Sequence, residues 1–165
     1  MTDEIPSKPT FLLMPPRILG VLLVAAALVH FVAGLRGPYF KVVPVGIGLI
    51  AFGLAANGWA SRLFDTAKTP ICPGSTPTKL VDRGPFRWSR NPMYLRLIVL
   101  LLGIALLVGS WPFWVLPPLY ALILRFLFIP HEEEMMWLKF GNAYDRYCSC
   151  VGRWLRRRCR RESAM

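Results

Sequence analysis

Acidic side chains are scarce in this sequence. Nine Asp and Glu stand against 20 Lys and Arg in 165 residues, a formal charge of +11. Charge of either sign is also thin, at 18%, while 55% of the residues are hydrophobic and the mean hydropathy is +0.44. That composition argues against a soluble single domain. An apolar chain with excess cations suits a membrane protein facing anionic lipid, and speaks against a nucleic-acid partner, which would need a basic surface on a soluble fold. Histidine is limited to His30 and His131, and the four cysteines include no CxxC pair, so no metal site is expected. The ending Glu162-Ser163-Ala164-Met165 is no prenylation box, and no internal repeat or low-complexity tract stands out.

The apolar residues fall in long blocks. Ile18 to Leu35 has His30 as its only polar side chain and is bracketed by Arg17 and Arg36. Val42 to Ala60 is interrupted only by Asn57 and is followed by Arg62. Nothing between Leu97 and Leu124 is charged, but Trp111-Pro112-Phe113-Trp114 and Pro117-Pro118 divide the stretch. As one straight helix it would be about 42 Å long against a hydrocarbon core of roughly 30 Å, so a helical hairpin fits better. The expected fold is all-α and polytopic, one domain over 1–165. Its four transmembrane helices lie at about 18–35, 42–60, 92–109 and 113–129. A cytosolic loop is expected at 61–91, and a cytosolic C-terminal amphipathic helix with a basic tail over 131–165. Ser110 to Pro112 forms the turn between the last two spans, with the tryptophans at interfacial depth. Pro117 and Pro118 then fall in the first turns of the fourth helix, with a kink expected at Pro118. The first run is longer than a usual signal-peptide core, and its removal would disturb the charge topology.

Four spans put both termini and the 61–96 region on one side. Seven Lys and Arg lie in that region and eight follow Pro130, so the basic side is expected to be cytosolic, in a cell inner membrane or endomembrane. Cys72, Cys148, Cys150 and Cys159 all fall on that side, where thiols stay reduced.

Two cytosolic clusters gather polar residues against the membrane. In Gly84-Pro85-Phe86-Arg87-Trp88-Ser89-Arg90-Asn91-Pro92-Met93-Tyr94, Asn91 reads as an N-cap and Pro92 as the first helical residue. The free N–H groups of that helix start, with Arg90 just ahead, make an anion site; the plainer alternative is an ordinary helix start with a snorkelling Arg. In His131-Glu132-Glu133-Glu134, three carboxylates interrupt a basic face, and at about 100° per residue at most two of them share one direction. Arg125, seven residues before Glu132 and about 10 Å away along an α-helix, is a candidate partner for it or for a ligand anion. The plainer alternative leaves the glutamates solvated and Arg125 snorkelling to the interface. Beyond them, apolar and aromatic residues from Met135 to Leu155 recur at helical spacing among Lys139, Arg146 and Arg153, as in a helix lying on a bilayer. Arg156 to Arg161 reads as a lipid-headgroup anchor.

These motifs, in this order, resemble the isoprenylcysteine carboxyl methyltransferase family and the related phospholipid methyltransferases. The resemblance rests on Gly84-Pro85-Phe86-Arg87, Arg90-Asn91-Pro92-Met93-Tyr94, Glu132-Glu133, Phe140-Gly141-Asn142-Ala143-Tyr144-Asp145-Arg146-Tyr147 and Arg153-Trp154. It covers about Leu80 to Leu155. It implies a membrane enzyme that moves a methyl group from S-adenosyl-L-methionine to a lipophilic acceptor, either a prenylated cysteine carboxylate or a similar lipid carboxylate or amine. On that likeness Pro85, Arg90, Asn91, Pro92, Tyr94, Glu132, Glu133 and Tyr144 line the cofactor pocket, and Arg125, Glu133 and Arg153 serve the reaction. Asn91 stands where many members carry His, and Arg96 stands near where a small residue often follows the Tyr. A carboxylate acceptor needs no general base, only an Arg to orient it; an amine acceptor needs a Glu to take a proton. The alternatives are a non-catalytic membrane protein that binds anionic lipid or a partner through its basic face, and a small glutathione-using transferase. Oligomeric state is left open.

Overall fold

Helices account for most of the described chain, as the apolar blocks require. The computed structural model describes residues 14–34, 40–67, 80–81 and 83–155, without the side chains at 57, 60, 61 and 63–67. The elements are α1 (Pro15–Val32), α2 (Val43–Ala67), α3 (Pro92–Val108), α4 (Trp111–Ile123), α5 (Ile129–Phe140) and α6 (Asn142–Cys150), with no strand among the described residues. A 3-10 turn, Gly84–Arg87, precedes α3, and a π-helical turn, Leu124–Phe128, joins α4 to α5.

Two helices are long and apolar enough to cross a membrane: Pro15–Val32 and the continuous Trp111–Phe140. Val43–Ala56 and Pro92–Val108 are apolar but shorter. Large apolar side chains point outward from α1 and α2, among them Val32 at 85% and Phe52 at 63% exposure. Exposed faces of this kind suit lipid rather than water.

The hairpin between α3 and α4 forms where the Pro and Trp residues suggested it. Gly109 closes α3 at φ 76°, a left-handed conformation suited to glycine, and Ser110 holds the N-cap position of α4 ahead of Pro112 without a side-chain cap bond. Pro117 and Pro118 lie inside α4, with Pro117 buried. The last helix runs on past the expected end at 129, through the π turn, to Phe140. The expected amphipathic helix is accordingly split: α5 continues the long apolar helix, Gly141 at φ 47° breaks it, and α6 follows the break.

Packing depends on small residues. A Cβ on Gly46 would lie 2.9 Å from the Gly103 carbonyl, and one on Gly103 would lie 2.8 Å from an Ile50 side-chain carbon. Paired glycines thus bring α2 and α3 into backbone contact, as close-packed membrane helices do. Tyr120, wholly buried on α4, donates to the Pro15 carbonyl at 2.9 Å and ties α1 to the bundle. The core of Leu101, Ala105, Leu116, Leu124 and Ile129 lies between α3 and α4–α5 and brings the start of α3 beside the start of α5.

The cationic tail at 156–161, Lys68, Lys79, Cys72 and Cys159 lie outside the described residues. Cys148 is a free thiol, but Cys150 is disulfide-bonded, contrary to the expectation of reduced cysteines. Compartment sets the average redox poise; which sulfurs meet is decided by the fold.

Candidate functional site

The segment before α3 is stitched to the segment after α6. Gly84, at φ 59°, lets the chain turn into Pro85, whose carbonyl accepts from Trp88 N at 3.1 Å and Ser89 N at 3.2 Å. Phe86 is buried, and its carbonyl accepts from the Tyr147 hydroxyl at 2.7 Å. Arg90 N donates to the Gly152 carbonyl at 3.0 Å. Ser89, 2% exposed, accepts from Asn91 N at 3.1 Å and donates to the Arg153 carbonyl at 3.4 Å.

Asn91 holds the N-cap position expected of it, with Pro92 opening the helix, but its side chain does not cap α3. Its amide instead donates to the Arg153 carbonyl at 3.2 Å. Asn91 is therefore a tether between the helix start and the C-terminal segment, which leaves the first N–H groups of α3 without a side-chain cap.

Two of the three glutamates turn inward, each to its own partners. Glu132 accepts a short hydrogen bond, 2.5 Å, from the Tyr94 hydroxyl one turn into α3. Glu133 accepts from Arg153 Nε at 3.1 Å and Nη2 at 2.5 Å, a bidentate fork, and pairs with Arg90 Nη1 at 3.2 Å. Glu134 is exposed. Arg90 Nη1 also donates to Cys148 Sγ at 2.8 Å, which brings α6 into the cluster. Tyr144, buried one turn before Cys148, completes it, with the Tyr147 ring 6.2 Å away.

The electrostatics follow from burial. Loss of water raises the Glu132 carboxyl above the usual glutamate range, a shift opposed by the Tyr94 hydrogen bond and reinforced by Glu133. Burial, with Cys148 and Glu133 nearby, also raises the Tyr144 phenol, so it stays neutral. The Arg153 guanidinium is held more firmly charged by its hydrogen bonds to Glu133. Arg90 Nε is covered and has no hydrogen-bond partner among the described residues, although Nη1 of the same group has two neighbours. A cleft of about 440 Å³ runs along residues 148–155, beside Arg153.

Of the residues singled out in the sequence, Arg90, Asn91, Glu133, Tyr144 and Arg153 are thus joined in one network, Tyr94 and Glu132 form a separate pair beside it, and Pro85 and Pro92 shape the backbone. Arg125 lies apart. It is exposed in the π-helical turn, 5.8 Å from the Phe126 ring, and belongs to neither ion pair among the described residues. The wider π turn displaces it from the i, i+7 alignment with Glu132 that an unbroken α-helix would give. Sequence reasoning missed Ser89, Tyr147 and Cys148. Cys148 had a readable signal, since it follows Tyr144 by four residues on one helix face.

Residues 42–143, well over half the chain, match the family described as phospholipid methyltransferase. The chain belongs to the phospholipid methyltransferase family. An uncharacterized protein of Haemophilus influenzae is 36% identical over 63 residues, which are 38% of this chain and the whole of that protein. No solved structure matches. Membership makes the chain a methyltransferase with a lipid as its class of acceptor, in keeping with the outward apolar faces of α1 and α2. The matched span takes in the 3-10 turn, the start of α3 and the glutamate pair, and stops before Cys148 and Arg153.

Proposed function

We propose that this phospholipid methyltransferase family member is a single four-span domain, with α1 to α4 crossing the bilayer. On this reading it transfers a methyl group from S-adenosyl-L-methionine to a lipid amine at the cytosolic face. The positive-inside bias supports that orientation, since fifteen of the 20 cations lie in the 61–96 region or after Pro130.

The observation that carries the cofactor reading is the uneven use of Arg90. Its Nη1 is held by Glu133 and Cys148, while its covered Nε lacks a partner. That orphaned donor, beside the uncapped first turn of α3, suits the carboxylate of an amino-acid-bearing cofactor. Glu133, itself held by Arg153, fixes the Arg90 guanidinium. Arg90 and the start of α3 would hold such a cofactor, which would supply an electrophilic sulfonium methyl group and leave as the neutral thioether.

Glu132 fits the proton transfer that an amine acceptor requires. As the amine nitrogen forms its bond to the methyl carbon, an N–H proton must leave, and a carboxylate with a raised pKa accepts it more readily than an ordinary one. Tyr94 holds Glu132 in place. Alignment of the acceptor with the donor and exclusion of water supply the rest of the rate enhancement.

The test is to incubate membranes containing the chain with methyl-tritiated donor and separate phospholipid, protein and isoprenoid fractions. Label in amine phospholipid is expected, with loss in Glu132→Gln. Base-labile label in prenylated protein would replace the amine with a carboxylate acceptor. No label in any fraction would favour a lipid-binding protein without catalysis.

A further inference from the structure

Arg96 is a cation that the glutamate cluster does not use. It is the fifth residue of α3, about 6 Å along the axis from Pro92 at 1.5 Å per residue. Tyr94 faces Glu132, and Arg96, two residues on and about 200° further round the helix, leaves on the other side. That side packs on α2. The Arg96 carbonyl oxygen lies 3.4 Å from where a Cβ on Gly53 would stand, and Leu100, one turn later, lies 3.6 Å from the same point.

Both Nε and Nη1 of Arg96 are covered, and neither has a hydrogen-bond partner among the described residues. Neither ion pair among the described residues includes it, and Glu132 and Glu133 are committed to Tyr94, Arg90 and Arg153. A guanidinium does not shed its charge, and covered donors without acceptors are costly, so the site calls for anionic oxygen from outside the described protein. Depth narrows the source. Arg96 is the last charge before the uncharged stretch Leu97 to Leu124, and the exposed Trp59, six residues beyond Gly53 toward the same end of the bundle, stands where interfacial aromatics stand. At that level the bilayer presents phosphate esters, and the planar guanidinium fork matches a phosphate with two parallel hydrogen bonds.

We propose that Arg96, on the α2-facing side of α3, binds the phosphate of a lipid headgroup. The site is separate from the cofactor network, on the opposite face of α3, and rests on the membrane reading rather than on methyl transfer. It gives a role to the cation that stands near where resembling sequences carry a small residue.

The full chain in detergent is titrated with short-chain phosphatidic acid, matched diacylglycerol and inorganic phosphate, and bound species are counted by native mass spectrometry. We expect the wild type to retain one phosphatidic acid and no diacylglycerol. Arg96→Met should weaken retention about tenfold or more, the scale of hydrogen bonds to a charged group, and Arg96→Lys should fall between. Arg96→Gln replaces the Met variant if that one does not fold. Equal retention by the wild type and the neutral variant, or equal binding of diacylglycerol, overturns the proposal. Inorganic phosphate binding as tightly as the lipid also overturns it, in favour of a free-phosphate site. S-adenosylhomocysteine binding is measured on the same samples. Its absence from a chain that still retains phosphatidic acid would remove the methyl-transfer reading and leave this one standing.

Discussion

Glu133 is the hub through which Arg90 and Arg153 are held, and its removal should destabilise the bundle in a way that depends on Arg153. Glu133 and Arg90 side chains are each 17% exposed and Arg153 is 34% exposed. The network therefore stands between a surface pair, worth about 0–1 kcal/mol, and a fully buried one, whose breaking costs about 3–5 kcal/mol. Glu133→Gln keeps the shape but leaves two guanidiniums facing a neutral amide, for an expected loss of about 2 kcal/mol. Arg153→Gln removes the more exposed partner and should cost about 1 kcal/mol. If both changes act on one fork, the double variant should lose about 2 kcal/mol, a coupling of about 1 kcal/mol. The assay is reversible unfolding of the full chain in mixed micelles, titrated with dodecyl sulfate and followed by tryptophan fluorescence. Additive losses, with coupling near zero, would refute the claim that Glu133 fixes Arg90 and Arg153 together.

Other outcomes follow from the same geometry. Tyr94→Phe removes the donor to Glu132 and should cost about 1.5–3 kcal/mol in the same unfolding assay, the range for a bond to a charged group. Gly103→Ala places a methyl group against Ile50 and the Gly46 backbone and should destabilise by about 1–3 kcal/mol, whereas Gly20→Ala, which meets nothing within 4 Å, should not. Because burial raises Glu132 above its unfolded value, its share of stability is whole below the ordinary glutamate range and is lost as pH climbs through the raised value. Unfolding free energy should accordingly fall with rising pH across that window, and Glu132→Gln should flatten the fall. Methyl transfer to an amine should run the other way, rising with pH through the same window as Glu132 becomes the free base.

The helices were legible because burial in lipid and burial in a helical core both demand long apolar runs, and Pro112 and Gly109 mark the hairpin. The start of α3 was legible from Asn91-Pro92, but the use of the Asn91 amide was not, since its acceptor, Arg153, lies 62 residues away. Adjacent glutamates point about 100° apart, so periodicity let at most one or two of the three face a single site. The fold agrees, sending Glu132 to Tyr94 and Glu133 to the arginines. The π turn has no local sequence signature here, and it separates Arg125 from the site that an α-helical count would give it. The disulfide at Cys150 was hidden for a similar reason, because spacing along the chain does not report which sulfurs meet.

The central claim, that the Arg90 and glutamate network holds the methyl donor, is tested most directly by titrating S-adenosylhomocysteine calorimetrically into the purified full chain. One molecule should bind per wild-type chain, and Arg90→Ala should abolish the heat in a chain that still unfolds cooperatively, at somewhat lower stability because the pair with Glu133 is lost. A wild-type chain that binds none, or an Arg90→Ala chain that binds as well as wild type, would contradict it.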